Sequence, residues 1–324
     1  MIMSFNSMIP VEESDFYLEY AFRTAKRYAS IKKQAVRGDQ VKKAKNYEVA
    51  LMSSVAKTLK EKLDNIIYSF PNFDNLSEFY EELVRINLDY VKLKESLGAL
   101  NWAKNQMNTF ANEYKKKLST TGDIDKIKGI GKEFLGRISS IFRQIKKKMA
   151  YLEVVRLTMR DFPVINEESF TVALAGFPNV GKSTLLSKIT DSTPEIKVYA
   201  FTTKKLNVGY CKDGVHKMQL IDTPGTLNRI DKMNQIERVA YLAIKYCADI
   251  VVFVYDLTEG YSLEDQEKLF KRVSEFDKPM LVYLSKADIL PKKLVEDFAK
   301  KVDGISDAEV LRLKIIEQRR ILLK

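Results

Sequence analysis

Eight consecutive residues, Gly176-Phe177-Pro178-Asn179-Val180-Gly181-Lys182-Ser183, follow an apolar run from Phe170 to Ala175 and precede a helix-compatible stretch starting at Thr184. Glycines at both ends of such a loop let successive backbone N–H groups turn inward around phosphate oxygens. The lysine after the second glycine reaches the β- and γ-phosphates, and the next hydroxyl completes a Mg2+ shell. In this strand, loop, helix setting, residues Gly176 to Thr184 are a candidate nucleoside triphosphate cradle, with Ser183 as a candidate metal ligand.

Three further groups follow in an order that such a cradle requires. Asp222-Thr223-Pro224-Gly225 ends a second apolar run, Met218 to Ile221. There Asp222 can hold Mg2+ through water and the Gly225 N–H can sense a γ-phosphate. Upstream, Thr203 in Phe201-Thr202-Thr203-Lys204 can close on the metal when the third phosphate is present. Downstream, an apolar run from Pro279 to Leu284 leads into Ser285-Lys286-Ala287-Asp288, close to an Asn-Lys-x-Asp base reader. Asp288 would accept from the guanine N1 and N2 donors, which adenine does not offer, so GTP and GDP are the expected nucleotides.

The run from Gln144 to Asp288 resembles the Nog1 family of Obg-like ribosome-assembly GTPases. Tyr151-Leu152-Glu153-Val154-Val155-Arg156, Phe162-Pro163, the phosphate loop, Tyr199-Ala200-Phe201-Thr202-Thr203-Lys204 and Asp222-Thr223-Pro224-Gly225 carry the likeness. The resemblance implies a helical N-terminal domain fused to a G domain that acts on the large ribosomal subunit precursor and its rRNA. Lys182, Thr203, Gly225 and Asn179 would then be the catalytic set. In such relatives, an asparagine at the place of Asn179 helps bind K+, so K+ is a further candidate cofactor. A fifth guanine contact, usually a Ser-Ala pair after a last strand, has its only candidate at Ser306, with no strand expected before it and a helix expected from Ala308 to Leu323. Many small GTPases place a water-orienting glutamine directly after Asp-x-x-Gly, where this chain has Thr226. Slow intrinsic turnover is therefore expected. Two rival roles share these motifs: an Obg-type translation-linked or regulatory G protein, and a nucleotide-bound placeholder with negligible hydrolysis.

The elements that must hold these residues fall into two halves. From Val11 to about Phe162, apolar residues recur at three- and four-residue spacing, as in Leu76, Phe79, Tyr80 and Leu83, which predicts a helix bundle. Pro71-Asn72 and Thr120-Thr121-Gly122-Asp123 interrupt it, and Pro163 with Asn166-Glu167-Glu168-Ser169 marks the border. Beyond the border, apolar strands alternate with helices. The expected fold is thus an all-α bundle over residues 1–165, then an α/β P-loop GTPase domain over 166–324. Its sheet should be mostly parallel, with one antiparallel hairpin around Asp213-Gly214.

A chain of 324 residues with 45% apolar side chains can bury two cores, and no 18-residue apolar run would span a membrane. The first ten residues lack a signal-peptide pattern, and Cys211, Cys247 and His216 form no metal or redox spacing. A cytoplasmic protein, monomeric off the ribosome, is expected. The net charge of +11 is concentrated: residues 115–148 hold 11 basic side chains against three acids, with the rest of the first half near neutral overall. That density is the footprint of an RNA partner, and Lys115-Lys116-Lys117 and Lys146-Lys147-Lys148 are its two lysine triplets. Within the window, Ile127-Lys128-Gly129-Ile130-Gly131-Lys132 resembles the glycine turn of a helix-hairpin-helix module, and a turn between two helices is the favoured reading.

Overall fold

The computed structural model describes residues 5–190, 195–197, 206–214, 216–223, 235–258 and 260–323. The chain divides into two compact units, one of residues 5–75 and 84–160, the other of 76–83 and 161–324. The first is a bundle of long helices: α1 (Ser14–Ala35), α2 (Gln40–Ser69), α4 (Tyr90–Thr120) and α5 (Ile124–Arg160), with α3 (Glu78–Asn87) lying across the division.

Three of these helices start where a side chain can satisfy orphan backbone donors. Asp39 accepts from Lys42 N at 2.7 Å and Asp89 from Lys92 N at 2.9 Å. Asp123 accepts from the N–H groups of Lys126 and Asp125, which hold its carboxyl below the usual range. The inward faces follow the expected period: Ala21, Ala25 and Ala29 on α1, Val55, Leu59, Leu63 and Ile66 on α2, and Phe134, Ile138, Phe142 and Ile145 on α5 are buried.

The glycine-rich segment at 127–132 is not a turn. It lies inside α5, which runs unbroken from Ile124 to Arg160. A glycine within a helix costs up to about 1 kcal/mol, and Gly131 has a packing reason. A Cβ there would collide with Glu48 Oε2. Glu48 is 7% exposed, its Oε2 has no hydrogen-bond partner, and burial pushes its carboxyl up to about 7.

A carboxyl raised in the folded state favours the protonated form. Its contribution to stability is fully present below about 4.5, the ordinary value, and is lost as pH rises through about 7. Glu48→Gln should therefore stabilise the protein at pH 8 by on the order of 1–3 kcal/mol and flatten its dependence between about pH 4.5 and 8. Denaturant unfolding across that range checks this. An unchanged profile would mean that the carboxylate is solvated.

The basic residues are distributed differently from the expectation. Lys146 pairs with Asp15 at 3.2 Å and Lys148 with Glu95 at 2.6 Å, so two of the triplet already have acidic partners. The near-neutral average of the remaining half conceals a second basic window. Residues 23–45 carry nine basic side chains against the single acid Asp39, and Asp39 is occupied as a helix cap. The α1–α2 turn and the α4–α5 turn share one end of the bundle, where Lys45 Nζ donates to Ser119 O at 3.1 Å. Both basic windows thus meet at this end. The lysine triplet lies about 30 Å further along α5 at 1.5 Å per residue.

The second unit is built on a seven-stranded sheet in the order β2-β3-β4-β1-β5-β6-β7. Its strands are β1 (Thr171–Ala175), β2 (Glu195–Lys197), β3 (Leu206–Asp213), β4 (His216–Asp222), β5 (Ile250–Asp256), β6 (Met280–Ser285) and β7 (Gly304–Ile305). From β4 through β7 all neighbours are parallel. β1 and β5 are buried at every position, as strands covered on both faces must be. The expected hairpin is present, with β2 added antiparallel outside it. Its last pair is Asp213 with His216 and Gly214 has φ 60°, so the turn lies one residue later than expected. Arg320 and Arg319 bind Asp213 and hold its carboxyl low, fastening the hairpin to the last helix, α10 (Ala308–Leu322).

The intervening helices are α6 (Lys182–Ile189), α7 (Gln235–Leu242), α8 (Leu263–Ser274) and α9 (Lys292–Val302). α7 continues as one π-helical turn, Ala243–Cys247. Residues 76–83 join this unit through buried Tyr80, whose hydroxyl donates to Pro163 O at 2.9 Å and accepts from Ile165 N at 3.1 Å.

Candidate functional site

Ligands of parallel sheets gather beyond the carboxyl ends of the strands, and the sequence-derived residues that lie among the described residues collect there. Between β1 and α6 the chain makes a loop with Gly176 at φ 146°, Asn179 at φ 61° and Gly181 at φ 97°. Glycine is required at 176 for space as well, because a Cβ would sit 2.7 Å from Val254 O on the neighbouring strand β5. Phe177 and Val180 are buried beneath the loop, and Asn179 is exposed at its tip. Pro178 is half-buried, and Thr184 is exposed in the first turn of α6.

Lys182 opens α6 and is 6% exposed. Its Nζ donates to Gly176 O at 3.0 Å and Phe177 O at 2.6 Å, so the ammonium stands inside the ring of the loop. Ser183 Oγ donates to Asp222 Oδ2 at 2.5 Å. This meeting follows from the parallel register, which sets Asp222, the last residue of β4, opposite Leu174 of β1. Thr223 locks it by donating from its hydroxyl and its N–H to Leu174 O. A hydroxyl and a carboxylate side by side are oxygen donors of the kind a hard Mg2+ ion takes. Thr203, Gly225 and Thr226 lie outside the described residues.

The base-reading candidates stand on the other side of the loop. Ser285 ends β6 near the phosphate loop: only a Cβ added at Gly181 would come into contact with it, 3.5 Å from its Cβ. Its hydroxyl donates to Tyr255 O at 2.9 Å, so it binds the sheet. Lys286 takes a left-handed conformation, φ 55°, and turns the chain into a short 3-10 turn, Ala287–Ile289, on which Asp288 is exposed. Contrary to expectation a strand does precede Ser306. The two residues of β7 pair with Val282 and Tyr283 of β6, which brings Ser306 to the same end of the sheet as Asp288. Asp307 then caps α10 by accepting from Glu309 N and Val310 N.

Sequence reasoning missed four residues that surround this site. Asp256 ends β5 and is 2% exposed. Its Oδ2 receives Lys286 Nζ at 2.6 Å, and its Oδ1 receives both the N–H and the hydroxyl of Thr258. Gln266 on α8 accepts from Asp256 N and donates to the carbonyls of Asp256 and Tyr261. The Tyr261 ring stacks on Phe177 of the phosphate loop at 4.4 Å. An aspartate closing an all-apolar strand was the available signal, since a charge at that position must be paired.

The solved structure of a nucleolar GTP-binding protein 1 from Plasmodium falciparum is 25% identical, with a TM-score of 0.38, covering 50% of this chain and 95% of that one. A protein of Methanocaldococcus jannaschii is 36% identical over 258 residues, 78% of this chain and 72% of its own length. Nucleolar GTP-binding protein 1 of Drosophila melanogaster is 33% identical over 267 residues, 81% of this chain but 41% of that protein. The chain thus spans less than half the length of that eukaryotic relative. Residues 171–286 match the domain described as a 50S ribosome-binding GTPase, and residues 5–166 match the NOG1 N-terminal helical domain. With a GTPase domain behind that helical domain, the chain belongs to the NOG1 family.

Proposed function

We propose that the protein binds GTP with Mg2+, hydrolyses it slowly, and acts as an assembly factor for the large ribosomal subunit whose helical unit contacts pre-ribosomal RNA. The observation that carries the nucleotide reading is the convergence of Lys182, the Ser183–Asp222 pair and the Ser285–Asp288 turn beyond β1, β4 and β6. Mg2+ would supply positive charge across the β- and γ-phosphates. This chain's residues do the rest. Lys182 exchanges its carbonyl partners for phosphate oxygens, the loop's N–H groups from Asn179 to Thr184 surround them, and Thr203 and Gly225 register the third phosphate. Asp288 reads the guanine, with Ser306 at the same end of the sheet. Turnover is slow because Thr226 stands where a water-orienting glutamine is common, and Asn179 at the loop tip is the residue that could recruit K+.

The RNA surface we assign is the bundle end where residues 23–45 and 115–132 meet. A cytoplasmic, monomeric protein is part of the same proposal. Sedimentation of the tagged protein through a sucrose gradient tests the role: an assembly factor peaks with immature large subunits, and a peak on mature ribosomes alone refutes it. The quadruple reversal of Lys33, Lys42, Lys116 and Lys126 to Glu should release the protein from these particles. It should also lower the log–log salt slope of binding by roughly 0.7–0.9 for each phosphate that is no longer neutralised, leaving GTP affinity intact. Reversal of Lys146, Lys147 and Lys148 should do less, because two of them already face acids. Equal effects of the two variants would return the RNA surface to the middle of α5.

A further inference from the structure

We propose that Asp256 is a positioning residue for guanine recognition: it holds the Lys286 ammonium and thereby fixes the turn that presents Asp288. This rests on the guanine-nucleotide reading above and deepens it. The usual base-reading motif begins with asparagine, whose side chain is long enough to brace the base loop against the phosphate loop. Ser285 is too short for that, and its hydroxyl is spent on Tyr255 O. Something else must fix a turn that enters through a left-handed residue, Lys286 at φ 55°, and ends on an exposed aspartate.

Asp256 has the required geometry. It is the parallel-register partner of Ser285, so its carboxylate emerges directly beside the start of the turn. One oxygen takes Lys286 Nζ at 2.6 Å; the other is saturated by the two donors of Thr258, whose hydroxyl also stands 3.4 Å from that ammonium. Burial by itself would raise the Asp256 carboxyl, yet the bonds from Lys286 and Thr258 hold it below its ordinary value, so it is ionised and the contact is a true ion pair.

Its backbone is equally constrained. The buried Gln266 amide spans Asp256 N and O at 2.9 and 2.7 Å and reaches Tyr261 O at 3.1 Å. Tyr261 in turn stacks on Phe177. A continuous set of contacts therefore runs from the loop that would hold the phosphates, through Tyr261, Gln266 and Asp256, to the loop that would read the base. Its parts are an ion pair with one end desolvated and fully bonded amide groups, which keep a geometry better than exposed side chains do.

The test is nucleotide titration of the full chain carrying Asp256→Asn, Lys286→Gln, or both. Asp256→Asn keeps the shape and removes the charge. It should weaken GDP and GTP binding equally, by about tenfold, the cost of a hydrogen bond to a charged group. The ratio of GDP to inosine diphosphate affinity should shrink, because inosine lacks the 2-amino group that a well-held Asp288 accepts from. A purely structural residue would leave that ratio unchanged. The double variant should bind no more weakly than Lys286→Gln, since Asp256 acts through Lys286. Thr258→Val, which keeps the carboxylate, should show a smaller loss in the same direction and carries the test if Asp256→Asn does not fold. Additive losses, an unchanged guanine-to-inosine ratio, or unaltered affinity in Asp256→Asn would each overturn the assignment. Absence of guanine nucleotide binding in the unaltered protein would instead overturn the underlying reading, and this assignment with it.

Discussion

Lys182→Ala is expected to weaken GTP and GDP binding about a hundredfold while leaving the helical unit folded. Two roles disappear together. The ammonium is the only positive side chain inside the phosphate loop's sequence, and its bonds to Gly176 O and Phe177 O also hold the loop's shape. Truncating one member of a buried charged pair typically costs about 2–5 kcal/mol, and the middle of that range is two to three decades of affinity. Titration with a fluorescent guanine nucleotide measures it, with thermal unfolding run alongside. A loss below about fivefold would mean that the phosphates sit elsewhere.

Asp288→Asn should act on the other end of the nucleotide. Replacing a carboxylate by an amide swaps one acceptor for a donor, so guanine nucleotides should bind at least about tenfold more weakly and xanthine nucleotides more tightly. Asp288 is exposed on its turn, so the substitution reports recognition and not packing. The paired gain for xanthine is the decisive half of the result. Comparable ATP and GTP affinity in the unaltered chain would defeat the guanine assignment.

These two residues could be named from sequence because their setting is local. A glycine at each end of the loop, an apolar strand before it and a helix after it constrain the backbone within a few residues. The Asp222 and Asp288 assignments needed only that each follow an apolar run. The alternation of strands and helices then implied a parallel sheet, and such a sheet brings strand ends to one edge. The Ser183–Asp222 contact is a direct consequence of that register.

Other features depended on partners far along the chain. Gly129 and Gly131 read as a turn because glycine weakens helices, yet α5 continues through them. Ile127, Phe134 and Ile138 bury one face, and that burial outweighs about 1 kcal/mol per glycine. β7 has two residues, too few for any periodicity, and exists because β6 offers it an edge to pair with.

The sequence by itself determined the geometry of the candidate nucleotide cradle, the two-part architecture and the presence of a basic helical half, since composition, period and motif spacing are properties of contiguous residues. Tertiary structure alone decided that residues 76–83 join the GTPase unit and that Lys146 and Lys148 are paired. It also decided that two basic windows meet at one end of the bundle, and that Asp256 holds Lys286. Each of these joins residues dozens of positions or more apart in the chain, or, for residues 76–83, a segment and a distant unit. Electrostatics and packing depend on distance in space, and the fold sets that distance.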